Sequence, residues 1–228
     1  MYHVNRLELK YQLNHQEAKL LKTRLTPFMQ RDPYNQNGPY FIRSVYFDNP
    51  CDRSFIEKIE GFERRRKYRL RFYDFTLNLV KFEIKKKDND MVIKHTAIIQ
   101  SADIQNIFQR NYDCLLKYHN SILSQVYYDF KCDFFEPIVV VDYYRDAFFL
   151  DYNHIRVTFD YFLRKSDAVT DFHREDLLTI PVLEDYCVIL EIKYEDFVPN
   201  WFRNLFLSGR YQRCATSKYC LSRMIRGE

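Results

Sequence analysis

Apolar and polar residues alternate along much of this chain, which is the pattern expected of β-strands with one buried face and one polar face. The alternation is plain in Tyr68-Arg69-Leu70-Arg71-Phe72 and in Phe82-Glu83-Ile84-Lys85. The segments predicted as strands are residues 6–13, 40–48, 67–73, 80–87, 91–98, 137–144, 148–151, 155–162 and 186–194. Most of the chain is therefore expected to form an antiparallel sheet.

Helical spacing replaces the alternation in a few segments. Residues 101–135 carry apolar side chains at steps of three and four, among them Ile104, Ile107 and Leu123, which predicts a helical insertion. Asn14 stands three residues before Glu17, a capping-box arrangement that starts a helix running to about residue 27. Shorter helices are expected at residues 201–207 and 217–225, and residues 51–60 are expected to form a short helix or an irregular connection.

Length and composition favour one folded domain spanning residues 1–228. Of the 228 residues, 46% are hydrophobic and 18% aromatic, and only 4 are glycine, which excludes a disordered or collagen-like chain. We therefore expect a single α+β domain in which the sheet is the main element and helices pack on it.

The charge balance argues against general binding to nucleic acid or to membrane surfaces, because 35 basic residues stand against 31 acidic ones. Residues 63–67 form a basic run, which we interpret as a solvated loop that leads into a strand. No apolar run is long enough to span a bilayer, and the six cysteines form no C-x-x-C pair. A cytoplasmic protein with reduced thiols and no membrane segment of its own is expected.

Charged residues recur on one face of strand after strand. Arg69 and Arg71 share a face, and an E-x-K spacing puts a Glu and a Lys on one face of three other strands. The three E-x-K pairs are Glu8 with Lys10, Glu83 with Lys85, and Glu191 with Lys193. A solvated sheet face explains any one of these strands, and it is the favoured interpretation for each strand taken alone. For the set it is less favoured, because arginines that share a face repel one another unless an anion lies between them.

The repeated charged faces predict a closed antiparallel β-barrel of about eight strands. Its apolar side would pack outward against the helices, and its charged side would line a cationic lumen. Lys and Arg side chains confined in such a lumen repel one another, and a chain of phosphates offsets that repulsion along its length. A few Glu residues among them would hold a divalent metal that bridges to the phosphates. Triphosphate or polyphosphate is therefore the expected ligand.

Nine short segments stand in a distinctive order along nearly the whole chain. They are Leu9-Lys10-Tyr11, Ser44-Val45-Tyr46-Phe47-Asp48-Asn49, Tyr68-Arg69-Leu70-Arg71-Phe72-Tyr73, Phe82-Glu83-Ile84-Lys85, Val92-Ile93-Lys94, Tyr144-Arg145-Asp146-Ala147-Phe148, Arg156-Val157-Thr158-Phe159-Asp160, Val188-Ile189-Leu190-Glu191-Ile192-Lys193 and Ser217-Lys218-Tyr219. In this order they resemble the catalytic domain of the vacuolar transporter chaperone (VTC) polyphosphate polymerases and their bacterial relatives. That family lies within the triphosphate tunnel metalloenzyme fold.

The resemblance implies roles for nine residues. The residues that it assigns to phosphate contacts with ATP or polyphosphate are Lys10, Arg69, Arg71, Lys85, Lys94, Arg145, Arg156 and Lys218. Glu191 resembles the family's metal carboxylate, with Mn²⁺ the usual ion and Mg²⁺ the alternative. Lys218 resembles the lysine beside the transferring phosphate, and it is assigned to catalysis together with Arg69 and Arg71.

The implied function is a polyphosphate polymerase that transfers the γ-phosphoryl group of ATP to a growing chain. In the triphosphatase and cyclase branches of the fold, the first strand carries a motif of the form E-x-E-x-K. Arg6 takes the place of the first carboxylate here, which favours the polymerase branch. Two alternatives stay open: a metal-dependent inorganic triphosphatase or nucleotide hydrolase, and a non-catalytic module that binds polyphosphate or another polyanion. Any translocation of product across a membrane would need a membrane-protein partner.

Overall fold

Strands and helices alternate in blocks along the described residues. The computed structural model describes residues 6–35, 37–89, 91–207, 211–215 and 217–225. The strands are β1 (Arg6–Asn14), β2 (Gln30–Arg31), β3 (Tyr40–Asp48), β4 (Arg64–Phe72), β5 (Val80–Asp88), β6 (Met91–Ile99), β7 (Glu136–Leu150), β8 (Ile155–Ser166), β9 (Ile180–Pro181), β10 (Cys187–Glu195) and β11 (Gln212–Arg213). The helices are α1 (His15–Leu25), α2 (Arg53–Ile59), α3 (Ser101–Phe108), α4 (Ser121–Asp133), α5 (Asn200–Leu207) and α6 (Lys218–Met224).

Local sequence signals set where the main helices begin. The Asn14 side chain accepts a hydrogen bond from the backbone N–H of Glu17 at 2.9 Å, and the Glu17 carboxylate accepts one from the backbone N–H of Asn14 at 2.8 Å. This reciprocal capping box confirms the predicted start of α1. In the same way the Asn120 side chain accepts from the first turn of α4. The helical insertion is confirmed as α3, a 3₁₀ segment at Tyr112–Tyr118, and α4.

The chain forms two compact units. The first consists of the described residues of Met1–Phe41, Tyr143–Leu163 and Pro181–Ser217, and the second of those of Ile42–Asp142, Arg164–Ile180 and Lys218–Glu228. The division does not decide the number of domains, so the expectation of one domain stays a prediction.

In the first unit, antiparallel strands support two helices. β1 pairs with β10 and β11, and β10 pairs with β8. The apolar residues of these strands, such as Val157 and Leu190, form a buried core with Leu21 of α1 and Phe202 of α5. The alternate residues of the same strands carry the charged side chains. The predicted division between an apolar face under helices and a charged face is therefore confirmed in this unit.

The second unit repeats this division with the helical insertion as its cover. β4 pairs with β3 and β5, and β5 pairs with β6. Leu70 and Phe82 lie in direct register and face a core that includes Ile104, Val126 and Phe130 of the insertion. Arg69, Arg71 and Glu83 occupy the alternate positions, and their side chains lie on the other face.

The prediction of a closed barrel of about eight strands is wrong in its closure and its strand number. In the described residues the eleven strands follow the order β11, β1, β10, β8, β7, β3, β4, β5, β6, with β2 on β7 and β9 on β8. Closure requires the two end strands to pair, and no described residue pairs β11 with β6. β11 is only two residues long and pairs with β1, so it offers few backbone groups to a further strand.

Two smaller expectations also change. Residues 137–144 and 148–151 were expected to be separate strands, but they belong to the single strand β7. The basic run at residues 64–67 was expected to be a loop, but it lies within β4. Pairing between β4 and β5 extends to Arg64 and Asp88 and holds this run in the strand. No helix among the described residues combines the length and the apolar character needed to cross a membrane.

Removal of the Phe130 ring should destabilise the second unit strongly. Its centroid lies 5.0–5.8 Å from the rings of Phe47, Tyr68, Phe82, Tyr112 and Phe135, and the side chain is 1% exposed. Phe130→Ala should lower the free energy of unfolding by about 3–5 kcal/mol, measured by urea denaturation.

Phe134→Ala is the matched control, because Phe134 is close in sequence but 71% exposed. This variant should change the free energy of unfolding by less than about 0.5 kcal/mol. Equal effects of the two substitutions would contradict the assignment of the insertion to the core of this unit.

Candidate functional site

The charged face of the second unit is assembled by strand register. Arg69 lies directly opposite Tyr46 on β3 and opposite Glu83 on β5. One step along the same face, Arg71 lies opposite Ser44, and its Nε donates to Ser44 Oγ at 3.1 Å. Residues in direct register share a face and have neighbouring side chains. Three strands therefore bring arginines, a carboxylate and a phenol together.

Glu83 is the buried anion at the centre of this group. Its side chain is 2% exposed, and its Oε2 accepts from Arg69 Nε at 2.6 Å and lies 3.8 Å from Arg71 Nη1. Lys94 of β6 forms an ion pair with Oε1. Burial raises the pKa of Glu83, but the charges of Arg69, Arg71 and Lys94 outweigh it and hold the pKa well below its ordinary value. Glu83 therefore stays ionised and compensates part of the surrounding positive charge.

Tyr46 places a phenol beside the same cations. It is 6% exposed, accepts a hydrogen bond from Arg69 Nη1 at 3.1 Å, and its ring lies 5.2 Å from that of Tyr219. Burial acts to raise the pKa of Tyr46, but the charges of Arg69, Arg71 and Lys218 and the hydrogen bond from Arg69 lower it to about 8. The phenol thus reports a strongly positive environment.

Two lysines of β5 and β6 belong to this face. Lys85 lies in register between Lys67 of β4 and Lys94 of β6. The pKa of Lys94 is lowered to about 8, chiefly by desolvation, with the charges of Arg69 and Arg71 acting in the same direction and Glu83 opposing them. Cations on three adjacent strands disfavour further positive charge and favour an added anion.

Asp48 anchors the helix that carries Lys218. Its carboxylate is fully buried and accepts from the backbone N–H groups of Ser54 and Phe55 at 2.8 and 3.0 Å, in the first turn of α2. It also accepts from the Tyr219 hydroxyl, and burial followed by the charge of Asp48 raises the pKa of that phenol. Tyr219 is the second residue of α6, so Asp48 holds the first turn of α6 in place. Lys218 begins that turn.

The charged face of the first unit is built around Glu191. Glu191 Oε1 lies 2.5 Å from Lys193 Nζ, and Oε2 lies 4.0 Å from Lys10 Nζ, which is also 2.8 Å from Glu8 Oε1. Thr158 stands opposite Glu191 in the ladder between β8 and β10. Its Oγ1 is buried and has no hydrogen-bond partner in the described structure. Buried hydroxyls without partners are uncommon, so this atom marks a position where a ligand oxygen or a cation would be satisfied.

Arg145 and Arg156 in the same unit are each held by a carboxylate. Arg145 donates through Nε and Nη2 to both oxygens of Asp160, at 2.6 and 2.8 Å. Burial acts against its charge, but Asp160, with a contribution from Glu191, raises the pKa of Arg145. Arg156 Nη2 donates to Asp32 at 2.7 Å, and its side chain is 43% exposed. Both guanidinium groups are therefore oriented before any ligand binds.

The donor set at Glu191 fits a divalent cation that is shared with phosphate. The described residues contain no group of three or more His, Cys, Asp or Glu side chains that could enclose a metal by themselves. Mg²⁺ and similar ions need not be enclosed, since they are commonly held by one or two carboxylates together with substrate phosphates and water. The Glu191 carboxylate and the unpartnered Thr158 hydroxyl supply oxygen donors of this kind.

The residues named from the sequence fall into two groups. In the second unit Arg69, Arg71 and Lys94 surround Glu83, and the charge of Lys218 acts on Tyr46. Lys85 shares their face by register. The residues placed in the first unit are Lys10, Arg145, Arg156 and Glu191. Each unit therefore gathers its own share of the predicted site.

Sequence reasoning missed the roles of several anchoring residues. Glu83 and Tyr46 stand in segments that were singled out, but neither was assigned to the site. Asp160 and Asp48 were likewise read only as parts of motifs. The signal for Glu83 was present, because it alternates with Phe82 and Ile84 and so shares the face of Lys85. That it lies opposite Arg69 depends on register, which local patterning does not specify.

A family model described as the VTC domain matches residues 5–225. No curated protein matches the chain significantly.

Two of the solved structures that align with the chain share its fold at low sequence identity. A protein from Vibrio parahaemolyticus, assigned as a candidate adenylate cyclase, aligns with a TM-score of 0.51 and 12% identity over 96% of this chain and 98% of its own. A chain in the Schizosaccharomyces pombe Mediator head module aligns with a TM-score of 0.50 and 8% identity over 91% of this chain and 96% of its own. A similarly assigned protein from Bacillus halodurans has a TM-score of 0.48 and 13% identity, covering 90% of this chain and 88% of that one.

Glu83→Gln should destabilise the protein at neutral pH and less so in acid. Removal of the buried anion leaves Arg69, Arg71 and Lys94 uncompensated, so we expect a loss of about 3–5 kcal/mol at about pH 7. The folded-state pKa of Glu83 is depressed below its ordinary 4.5. Its stabilisation is therefore present above that value and declines as the pH falls below it, because the unfolded chain takes up the proton first. Urea denaturation at about pH 7 and about pH 3 should show the gap between wild type and variant shrinking.

Asp88→Asn is the control for charge removal on the same strand. The ion pair of Asp88 with Arg64 is exposed on both sides, so its loss should change the free energy of unfolding by less than about 1 kcal/mol. A Glu83→Gln variant as stable as Asp88→Asn would show that Glu83 does not compensate the cluster.

Tyr46 should ionise near neutral pH in the free protein. A pH titration of phenolate absorbance should show one transition near the value of about 8 expected from its environment, absent in Tyr46→Phe and retained in Tyr128→Phe, a change on an exposed helix face. Tripolyphosphate should shift the transition upward, because a bound anion disfavours the phenolate. A transition that persists in Tyr46→Phe, or does not respond to tripolyphosphate, would contradict this environment.

Proposed function

The chain belongs to the VTC domain family, which has the triphosphate tunnel metalloenzyme type of fold, and from that premise we propose that it is an ATP-dependent polyphosphate polymerase. A terminal oxygen of the acceptor chain attacks the γ-phosphorus of ATP, the bond from that phosphorus to the β,γ-bridging oxygen breaks, and ADP leaves with that oxygen. The observation that carries the proposal is the gathering of Arg69, Arg71 and Lys94 around a single buried carboxylate, beside Tyr46 and Lys218.

This cluster suits phosphoryl transfer by positioning and charge. Phosphoryl transfer needs little covalent participation from a protein, and it is accelerated mainly by fixed positive groups at the transferring oxygens. Arg69 and Arg71 are fixed by Glu83, Tyr46 and Ser44, so little reorganisation is needed when the phosphates bind. We assign Lys218 to the transferring group, where its charge offsets the charge that develops on the phosphoryl oxygens.

In the first unit, the basic residues would hold phosphates and Glu191 would hold the metal. Lys10, Arg145 and Arg156 are assigned to phosphate contacts, together with Lys85 and Lys94 of the second unit. Glu191, with the Thr158 hydroxyl beside it, is assigned to a divalent ion, Mn²⁺ or Mg²⁺. When bound, such an ion would neutralise phosphate charge and act as a Lewis acid.

The partners that follow from this proposal are ATP and polyphosphate, with no role for nucleic acid. A cytoplasmic location remains part of the proposal, and export of the product would require a separate membrane protein. The roles proposed for the nine residues do not depend on the location of the protein or on export of the product.

A non-catalytic polyanion-binding module is the alternative that a specific observation favours. Arg6 leaves the first strand without a second carboxylate, and a fold by itself does not imply catalysis. A hydrolase acting on triphosphate or nucleotides is the second alternative. The hydrolase is disfavoured because Arg6 takes the position of the first carboxylate in the E-x-E-x-K motif of the hydrolytic branches.

Purified protein given ATP and Mn²⁺ should form ADP and an acid-labile polymer, with chain length followed by gel electrophoresis. Arg69→Gln and Lys218→Gln should each lower the rate of polymer formation by about 10²–10³-fold, because each removes a fixed donor from the transferring phosphates. Glu191→Gln should weaken Mn²⁺ binding in the presence of tripolyphosphate, measured from the free-ion paramagnetic resonance signal.

Lys19→Gln, on an exposed position of α1, is the matched control and should retain the full rate. Release of phosphate without polymer would favour the hydrolase. Tight, salt-sensitive binding of tripolyphosphate without turnover would favour the binding module.

A further inference from the structure

A second basic region lies in the second unit, at the ends of β4 and β5 beside α2. It is a cleft with a volume of about 280 Å³. Its cations are Arg53, Arg64, Arg65, Arg66, Lys86 and Lys87. None of the nine residues assigned to the candidate site lines it, nor do Glu83 and Tyr46.

Half of these cations are already paired. Arg53 bonds Glu57 at 2.8 Å and Asp133 at 3.0 Å. The other two pairs join Arg64 to Asp88 at 3.1 Å and Arg66 to Asp129 at 3.0 Å. Acids therefore hold one set of guanidinium groups at the rim of the cleft.

The other three cations form no ion pair with the described residues, although the charge of Glu57 acts on Arg65 from a longer distance. Arg65 donates only to a backbone carbonyl, that of Phe62 at 2.5 Å, and burial lowers its pKa. Lys86 and Lys87 are partly buried, and no ion pair or hydrogen bond joins their ammonium groups to the described chain. The six cations stand against the four acids Glu57, Asp88, Asp129 and Asp133, so the cleft keeps an excess of two positive charges.

Strand register brings these cations into direct opposition. Arg65 lies opposite Lys87, and Arg66 lies opposite Lys86. Like charges directly opposite one another destabilise an antiparallel pair. The two pairs lie on opposite faces of the strands, because successive side chains alternate, and Asp129 already compensates Arg66. The opposition of Arg65 and Lys87 is therefore the one that an anion in the cleft would relieve.

Arg65 and Lys87 link the cleft to the candidate site, because they share its strand face, whereas Arg64, Arg66 and Lys86 alternate to the opposite face. Arg65, Lys67, Arg69 and Arg71 occupy alternate positions of β4, so their side chains share one face at steps of about 7 Å. On β5 the corresponding positions are Glu83, Lys85 and Lys87. We call these seven positions of β4 and β5 the cationic track, because every one except Glu83 is Lys or Arg.

We propose that this cleft is a second phosphate-anion site, which holds a short run of a polyphosphate chain outside the catalytic cluster. The inference rests on the proposed function, because the polymer that reaches the catalytic cluster along the cationic track is the one held here. Arginine binds phosphate oxygens with two donors and lysine with a point charge, and the cleft offers both.

The lining favours phosphate over nucleic acid. Single-stranded nucleic acid is held largely by bases stacked on exposed aromatic rings. The aromatic residues at the cleft are Tyr68 and Phe135, which are 1% and 4% exposed and packed in the core. The cleft therefore offers charge without a stacking surface.

Calorimetric titration of the full-length protein with tripolyphosphate tests the proposal. Wild type should bind in two classes of site. Lys86→Gln combined with Lys87→Gln should weaken one class at least tenfold and leave the other unchanged, whereas Arg69→Gln should weaken the other class. Lys19→Gln combined with Lys131→Gln removes the same charge from residues that do not line the cleft, and it should retain both classes.

The substituted lysines lie on partly exposed strand positions, and circular dichroism of each variant should match wild type. Arg65→Gln provides an independent variant with the same expected loss. A single class of site in wild type, or two classes that survive the paired lysine change, would overturn the second site. Absence of polymer formation with both classes intact would instead count against the proposed function alone.

Discussion

Compensation of positive charge on strand faces is the constraint on which this structure depends. In each unit a buried carboxylate lies against cations that would otherwise repel one another. Glu83 does this for Arg69 and Arg71, and Glu191 does it for Lys10 and Lys193. A buried ion pair adds little net stability, because desolvation offsets most of the Coulomb attraction. Loss of one partner is costly, however, so these carboxylates hold the cations in one arrangement.

The opposite faces of the same strands make that arrangement rigid. Aromatic and aliphatic side chains of β4 and β5 are buried in one core with the helical insertion, and close packing in protein interiors leaves a backbone little freedom to shift. Arg69 and Glu83 therefore meet because Leu70 and Phe82 are locked in register behind them. The stability of the core and the geometry of the charged face are consequences of the same alternation.

Pre-organised charge is also what connects the fold to phosphate chemistry. The solved structures that share this fold carry unlike descriptions, a candidate adenylate cyclase in one case and a chain of the Mediator head module in the other. Function must then follow from the side chains that the sheet presents. Each unit presents fixed cations suited to phosphates, and the first unit adds oxygen donors at Glu191 and Thr158 that suit a metal ion. The unpaired cations of the cleft extend the same chemistry beyond these groups.

The sequence by itself determined the alternation, the insertion and the capped start of α1, because these depend on residues close together in the chain. It also determined which side chains are charged and on which strand face they lie. Tertiary structure alone decided that Glu83 stands opposite Arg69, that Asp48 reaches the first turn of α6, and that the strand order stays open. These features depend on register and on strand partners far apart in the chain, and local periodicity carries no information about either.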